Sequence, residues 1–170
     1  MPTLSSTPKL SSTQIGVIGE NLLVNAVMKA SNGQLSPFKS VADDDGLDVL
    51  FFDKKTGNAV AIQLKCRTAT DGKRNTAQFD VRKATVRKER RAFLVAALLD
   101  ETMTKFVWSW FISMEELPKV SKPNSKNYII TPSRAVNSED KYVKLKYRCE
   151  TKELAERIID ECKTQPKGKK

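Results

Sequence analysis

The sequence predicts an α/β fold in which helices flank a central sheet. Three stretches carry that prediction. Residues 11–29 open on a polar capping motif and continue with apolar residues at helical spacing. Residues 48–67, DVLFFDKKTGNAVAIQLKCR, read as a β-hairpin, with β-favouring apolar residues on either side of a polar turn. Residues 105–113 alternate, setting Phe106, Trp108, Trp110 and Ile112 against Val107, Ser109 and Phe111.

A chain of 170 residues with 39% hydrophobic content is expected to form one domain around its own core. Its longest unbroken apolar run, Ala92 to Leu99, is far too short to cross a bilayer. The first residues, MPTLSSTPKLSST, lack a basic segment followed by an apolar core, so no secretory signal is visible. Cys66, Cys149 and Cys162 form no CxxC pair. That argues against a zinc site or a disulfide framework and makes a reducing cytoplasm the expected location. The formal net charge of +10 favours polyanionic partners such as nucleic acid or an anionic membrane surface. Histidine is absent, which excludes His-ligated metal nucleases, HD phosphohydrolases and Ser-His or Cys-His triads. Any hydrolytic chemistry must rest on carboxylates, amide, lysine and a metal.

Residues 1–12 are rich in Ser, Thr and Pro and are expected to be disordered. Ser11-Ser12-Thr13-Gln14 is a capping box, and the helix it opens should run to Lys29. Ile15, Ile18, Leu22, Leu23, Ala26, Val27 and Ala30 form its apolar face, with Glu20 at the edge of that face. Gly16 and Gly19 are costly inside a helix and would let it lie close to a sheet. Ser31-Asn32-Gly33 ends the helix, and Gln34 to Val41 should form the first strand, at an edge or irregular because of Pro37. In Ala42-Asp43-Asp44-Asp45-Gly46, Asp43 and Asp44 read as solvated turn acids, while Asp45 is near enough to Asp48 to support a site there.

Within the hairpin, Val49 to Phe52 lead into the turn Asp53 to Asn58, where Gly57 can take positive φ. On the return strand, Val60, Ile62, Leu64 and Cys66 share one face and Gln63, Lys65 and Arg67 the other. Asp48 opens the partner strand, where a carboxylate is disfavoured unless paired or metal-bound. A hairpin of this length brings it near Gln63 and Lys65.

Asp48, Gln63 and Lys65, in the pattern D-x14-Q-x-K on adjacent strands after a helix carrying Glu20 in IGENLL, resemble the PD-(D/E)XK nuclease superfamily. The likeness covers Thr13 to Arg67 well and the rest in outline. It is nearest to the Mrr-type, Holliday-junction-resolvase-like and homing-endonuclease branches, where a Q-x-K variant also occurs. The resemblance implies a restriction-endonuclease-like αβββαβ core with a mixed central sheet flanked by helices, extended by C-terminal strands and a final helix. It implies a Mg²⁺-dependent DNA endonuclease, with Mn²⁺ able to substitute, working as a homodimer or higher homo-oligomer. Asp48 would be the main carboxylate ligand, with Gln63 adding its amide oxygen, Leu64 its backbone carbonyl, and Glu20 a further carboxylate, directly or through water. Lys65 would orient or help deprotonate the attacking water. With Gln63 in place of the usual acid, the site loses one negative charge, which points to weaker Mg²⁺ affinity.

Beyond the hairpin, Thr68 to Thr76 is polar and Gln78 to Arg82 alternates as a short strand. Arg82, Lys83, Arg87, Lys88, Arg90 and Arg91, with Arg67, are candidate DNA contacts, and Ala84 to Arg90 reads as a short helix. Ala92 to Leu99 suits a buried strand or a buried helix equally by periodicity; the order of the resembled fold makes it a central strand. Trp108 and Trp110 are expected in the core rather than stacked on bases. Ser113-Met114-Glu115-Glu116 is a capping box for a short helix stopped by Pro118. Tyr128 to Ile130 and Tyr142 to Arg148 read as strands, the second with Lys144, Lys146 and Arg148 on one face. Thr151 caps a last helix with an apolar stripe of Leu154, Ala155, Ile158, Ile159 and Cys162. The nuclease-like domain is thus expected over 13–162, followed by a basic, disordered tail at 163–170. Two other functions fit the residues: a catalytically inactive DNA-binding or assembly module on a nuclease-like fold, which Gln63 keeps open, and a basic RNA- or ribosome-associated protein.

Overall fold

The computed structural model describes residues 10–41, 45–69, 75–87 and 91–164. The expectations for Asp43, Asp44, Lys88 and Arg90, and for most of the two terminal segments, fall outside those residues.

Helix α1, Ser12–Ala30, begins at the capping box read from the sequence. Gln14 N–H donates to Ser11 Oγ at 3.2 Å, and Ser11 N–H donates to Gln14 Oε1 at 2.8 Å. Strands β1 (Leu35–Lys39), β2 (Val49–Asp53) and β3 (Ala59–Thr68) then form an antiparallel run, β1 against β2 and β2 against β3. Pro37, which lacks an N–H, lies on β1 at the sheet edge. Strand β4 (Phe79–Arg82) and a 3₁₀ turn (Lys83–Thr85) lead across to β5 (Ala92–Leu99), which pairs parallel with β3. Strand β6 (Phe106–Ser113) pairs antiparallel with β5. After α2 (Leu117–Val120), β7 (Lys122–Pro123), β8 (Asn127–Ile130) and α3 (Lys141–Lys144), the short β9 (Arg148–Cys149) adds to β6. Helix α4 (Thr151–Lys163) ends the described chain.

The result is a mixed six-stranded sheet, β1-β2-β3-β5-β6-β9, and a three-stranded sheet, β4-β8-β7. Pleating sends alternate side chains to opposite faces. Val60, Ile62, Val95 and Phe111 meet Leu23 and Val27 of α1 and Leu154 and Ile158 of α4. On the other face, Leu94, Ala96, Trp110 and Ile112 meet Phe79 and Val81 of β4, Ile130 of β8 and Leu117 of α2. Strand β5 is buried throughout, because both its faces are covered.

Three expectations change. The helix expected over Ala84 to Arg90 is a 3₁₀ turn in its described part. Thr85 Oγ1 donates back to the Arg82 carbonyl at 2.9 Å, and Val86 is already extended, with ψ of 100°. The strand expected over Tyr142 to Arg148 is mostly helix α3 and a turn. Asp140 caps that helix by accepting Val143 N–H at 2.9 Å, and Lys146 takes a positive φ of 57° to turn the chain. Lys144, Lys146 and Arg148 therefore do not share a strand face. Ser113 does not cap α2: Glu116 N–H donates to its hydroxyl at 3.2 Å in the turn before the helix, whose N-cap is Glu116 without a side-chain cap, and Pro118 sits in the first turn of α2 instead of ending it. A proline there removes only an N–H that would have no partner.

Candidate active site

The hairpin register sets Val49 opposite Ile62. Asp48 lies one residue before β2 rather than within it, and its N–H donates to the Ile62 carbonyl at 2.9 Å. Gln63 and Lys65, two residues apart on β3, share the face opposite to that of Ile62 and Leu64. The Asp48 carboxylate reaches along the edge of β3, where its Oδ2 accepts the Leu64 N–H at 2.5 Å. A carboxylate at this strand end therefore has a backbone partner: it takes over the amide that β2 leaves behind. A strand residue sends its N–H and C=O to the same edge, so the Leu64 carbonyl faces the same opening.

Gln63 is nearly enclosed, at 3% exposure. Its Oε1 lies 3.3 Å from the Thr85 hydroxyl. Gly46, at φ of 68°, passes directly over the amide; a Cβ there would meet Thr85 Cγ2 at 2.6 Å and Gln63 Nε2 at 2.8 Å. Both the positive φ and the contact require glycine at 46. Lys65 is half-buried beside Ala96, which presents no bulk against its stem.

Glu20 comes from α1 and is held by Lys39 Nζ at 3.0 Å, and the same ammonium donates to Asn21 Oδ1 at 3.1 Å. Glu20, Asp48 and Lys65 are all close enough to act on the Cys66 thiol. Burial is the largest cause of its pKa being pushed up to about 12; the two carboxylates add to the rise and the Lys65 ammonium opposes it. The thiol is therefore inert packing against Gly19, where a Cβ would overlap its Sγ. Gly19 thus makes the close helix–sheet contact expected of it, whereas Gly16 meets nothing.

The basic candidates divide. Arg82 is exposed, and Lys83 lies over the Tyr128 ring at 5.5 Å. Arg67 Nε donates to the Gln78 carbonyl at 3.1 Å, with Asp80 at 4.0 Å. Arg87 lies 3.7 Å from Asp45, joining the acidic loop to the basic segment beside Gln63. Arg91 stands apart from them. Its guanidinium donates to the Thr164 carbonyl at 2.6 Å, to the Thr164 hydroxyl, and to Glu161 at 3.4 Å, at the end of α4. Trp110 is fully buried, and Arg148 covers the half-buried Trp108 ring at 4.3 Å. Sequence reasoning missed Thr85, Lys39 and the cover that Gly46 provides. Only Gly46, a glycine between an acidic turn and Asp48, left a signal.

Among the described residues no group of three His, Cys, Asp or Glu side chains is placed to hold a metal. The candidate oxygen donors are the Asp48 carboxylate on the Leu64 N–H, the Leu64 carbonyl, the Gln63 amide oxygen beside Thr85 and the Glu20 carboxylate held by Lys39. An all-oxygen set with few protein ligands fits Mg²⁺, which keeps several waters, and not zinc.

No protein-family model matches the chain, and no curated protein matches it. The chain is similar in fold to a bacterial homing endonuclease. That match has a TM-score of 0.59 at 18% identity and covers 92% of this chain and 100% of the other. The solved Holliday junction resolvase of the hyperthermophile Archaeoglobus fulgidus aligns over 77% of this chain and 97% of its own, with a TM-score of 0.43 and 13% identity. The mixed sheet flanked by helices is thus a nuclease-like fold. Among the described residues no helix is long and apolar enough to cross a membrane.

Proposed function

We propose that the protein is a Mg²⁺-dependent DNA endonuclease that hydrolyses phosphodiester bonds. The observation that carries this reading is the Asp48 carboxylate anchored on the Leu64 amide, beside Gln63 and Lys65 of the adjoining strand. A fold similar to that of a homing endonuclease supports it. Bound Mg²⁺ would stabilise charge on the phosphate and lower the pKa of its water. Asp48, Gln63 and Leu64 would hold that cation, with Glu20 as a further carboxylate, directly or through water. Lys65 orients the attacking water and offsets the charge that develops on the phosphate. Arg67, Lys83 and Arg87, with Lys88 and Arg90 after them in the sequence, neutralise neighbouring phosphates. A double-strand cut requires two such sites, so a homodimer or higher homo-oligomer belongs to the proposal.

The test is cleavage of plasmid and branched DNA with and without Mg²⁺ or Mn²⁺. Cleavage should need the cation and should disappear in Lys65→Ala. DNA that is bound but never cut would make the protein a binding module on this fold.

A further inference from the structure

Sheet β4-β8-β7 has one face in the core and one outside. Phe79, Val81 and Ile130 point inward. The register puts Arg82 opposite Asn127 and Asp80 opposite Ile129, and these pairs share the outer face. Arg82 is exposed, and neither its guanidinium nor the Asn127 amide has an ion-pair or hydrogen-bond partner among the described residues. Other arginines contrast with this: Arg91 is bound to Thr164, Arg148 to the Ala135 and Val136 carbonyls, and Arg157 to Glu153. Guanidinium and amide are the side chains that bind guanine and adenine edges bidentately, and a half-exposed isoleucine suits a thymine methyl.

The sheet is also tied to the candidate site at both ends of β4. Arg67, two residues beyond Lys65, donates to the Gln78 carbonyl at 3.1 Å just before β4 begins. Thr85, three residues after β4 ends, lies 3.3 Å from Gln63. An antiparallel pair of strands about 5 Å apart enters a B-DNA major groove about 12 Å wide.

We propose that the outer face of the β4–β8 pair enters the DNA major groove and reads base edges, with Arg82 on a guanine, Asn127 on an adenine, and Lys122 and Lys126 on the flanking backbone. This rests on the nuclease reading for its substrate, double-stranded DNA, and adds sequence readout to it. Duplex RNA is rejected, because its deep, narrow major groove excludes such a pair.

The experiment is selection of bound duplexes from a randomised DNA pool by the full chain in EDTA, so that no cleavage is needed. The unmodified chain should enrich a motif containing a fixed guanine. Arg82→Ala should lose that guanine preference by about tenfold or more. Arg82→Lys keeps the charge but not the fork; it should lose the same preference while the salt dependence of binding stays unchanged. Asn127→Ala should relax one adenine position only. Unchanged melting temperatures would establish that the surface variants fold. Enrichment of no motif, an unaltered motif in Arg82→Lys, or equal affinity for duplex RNA each overturns the inference. A selected motif without any cleavage sinks the endonuclease reading and leaves this one standing; cleavage without a selected motif does the reverse.

Discussion

Thr85 Oγ1 lies 3.3 Å from Gln63 Oε1 and 2.9 Å from the Arg82 carbonyl, so a residue on the connection between β4 and β5 backs the amide standing where the resembled pattern has an acid. Replacing Gln63 by Glu keeps an oxygen facing Thr85 and adds a carboxylate in a place with 3% exposure. Without a divalent cation the new charge is uncompensated, at a cost of about 3 kcal/mol. Gln63→Glu should therefore melt roughly 6 to 12 °C lower in EDTA. Its Mg²⁺ affinity should rise, since the cation now meets one more negative charge. Thermal melts across a Mg²⁺ titration check both effects, and an unchanged Mg²⁺ midpoint would remove Gln63 from the ligand set.

For the unmodified protein, Mg²⁺ or Mn²⁺ at about 100 times its dissociation constant should stabilise by roughly 2.7 kcal/mol, or about 5 to 10 °C. Asp48→Asn leaves an oxygen to accept the Leu64 N–H but removes the charge. It should fold normally and lose most of that shift. If divalent cations at tens of millimolar leave the melting temperature of the unmodified chain unmoved, the metal site is wrong.

Lys65 and the basic surface should fail in different ways. Lys65→Ala should slow single-turnover cleavage by about 100-fold or more and keep most DNA affinity. Changing Lys83 and Arg87 together to Ala should weaken binding and flatten the slope of log affinity against log salt by about 0.9 for each phosphate no longer neutralised. Cleavage by the double variant at saturating DNA should stay near normal. A Lys65→Ala protein that cuts at the unmodified rate would end the catalytic assignment.

Asp53 gives the fold an acid limit. It is fully buried, and burial raises its pKa, yet the net shift is downward. Hydrogen bonds from Thr56 at 2.8 Å, Gln34 at 2.9 Å and the Lys55 N–H at 3.1 Å outweigh the burial. A carboxyl with a depressed folded-state pKa contributes stability above its unfolded value of about 3.9 and loses it as pH falls through the folded value. Stability should be insensitive to this group from neutral pH down to about 4 and then decline. Asp53→Asn should be less stable at pH 7 and show a flatter acid limb, which denaturant melts across pH would reveal.

Local signals made much of the fold legible. The Ser11–Gln14 cap placed the start of α1, and the alternation from Val60 to Arg67 set the two faces of β3. The run Ala92 to Leu99 did not distinguish strand from helix, because a strand covered on both faces carries no period; the resemblance supplied the choice. Val143, Leu145 and Tyr147 alternate like a strand, but the Asp140 cap and the buried Tyr142 hydroxyl, which donates to the Val120 carbonyl at 3.2 Å, favour a helical turn. At the candidate site, the hairpin that carries Asp48, Gln63 and Lys65 was readable from the alternation and the turn residues. What surrounds them was not, since Thr85 reaches Gln63 across 22 residues and Lys39 reaches Glu20 only once β1 lies beside α1.

The clasp between Arg91 and Thr164 spans 73 residues, and α4, which ends in it, supplies Leu154, Ala155, Ile158 and Cys162 to one side of the sheet. During translation, β3 and β5 emerge long before that cover does. At about 5 to 20 residues per second, the ribosome needs roughly 4 to 15 seconds to make the chain between Arg91 and Thr164. Throughout that interval Val60, Ile62 and Val95 have α1 alone to shield them. The nascent chain therefore carries a half-open apolar surface into the crowded cell, and holdase chaperones and growth temperature, more than the stability of the finished fold, should govern how much protein escapes aggregation.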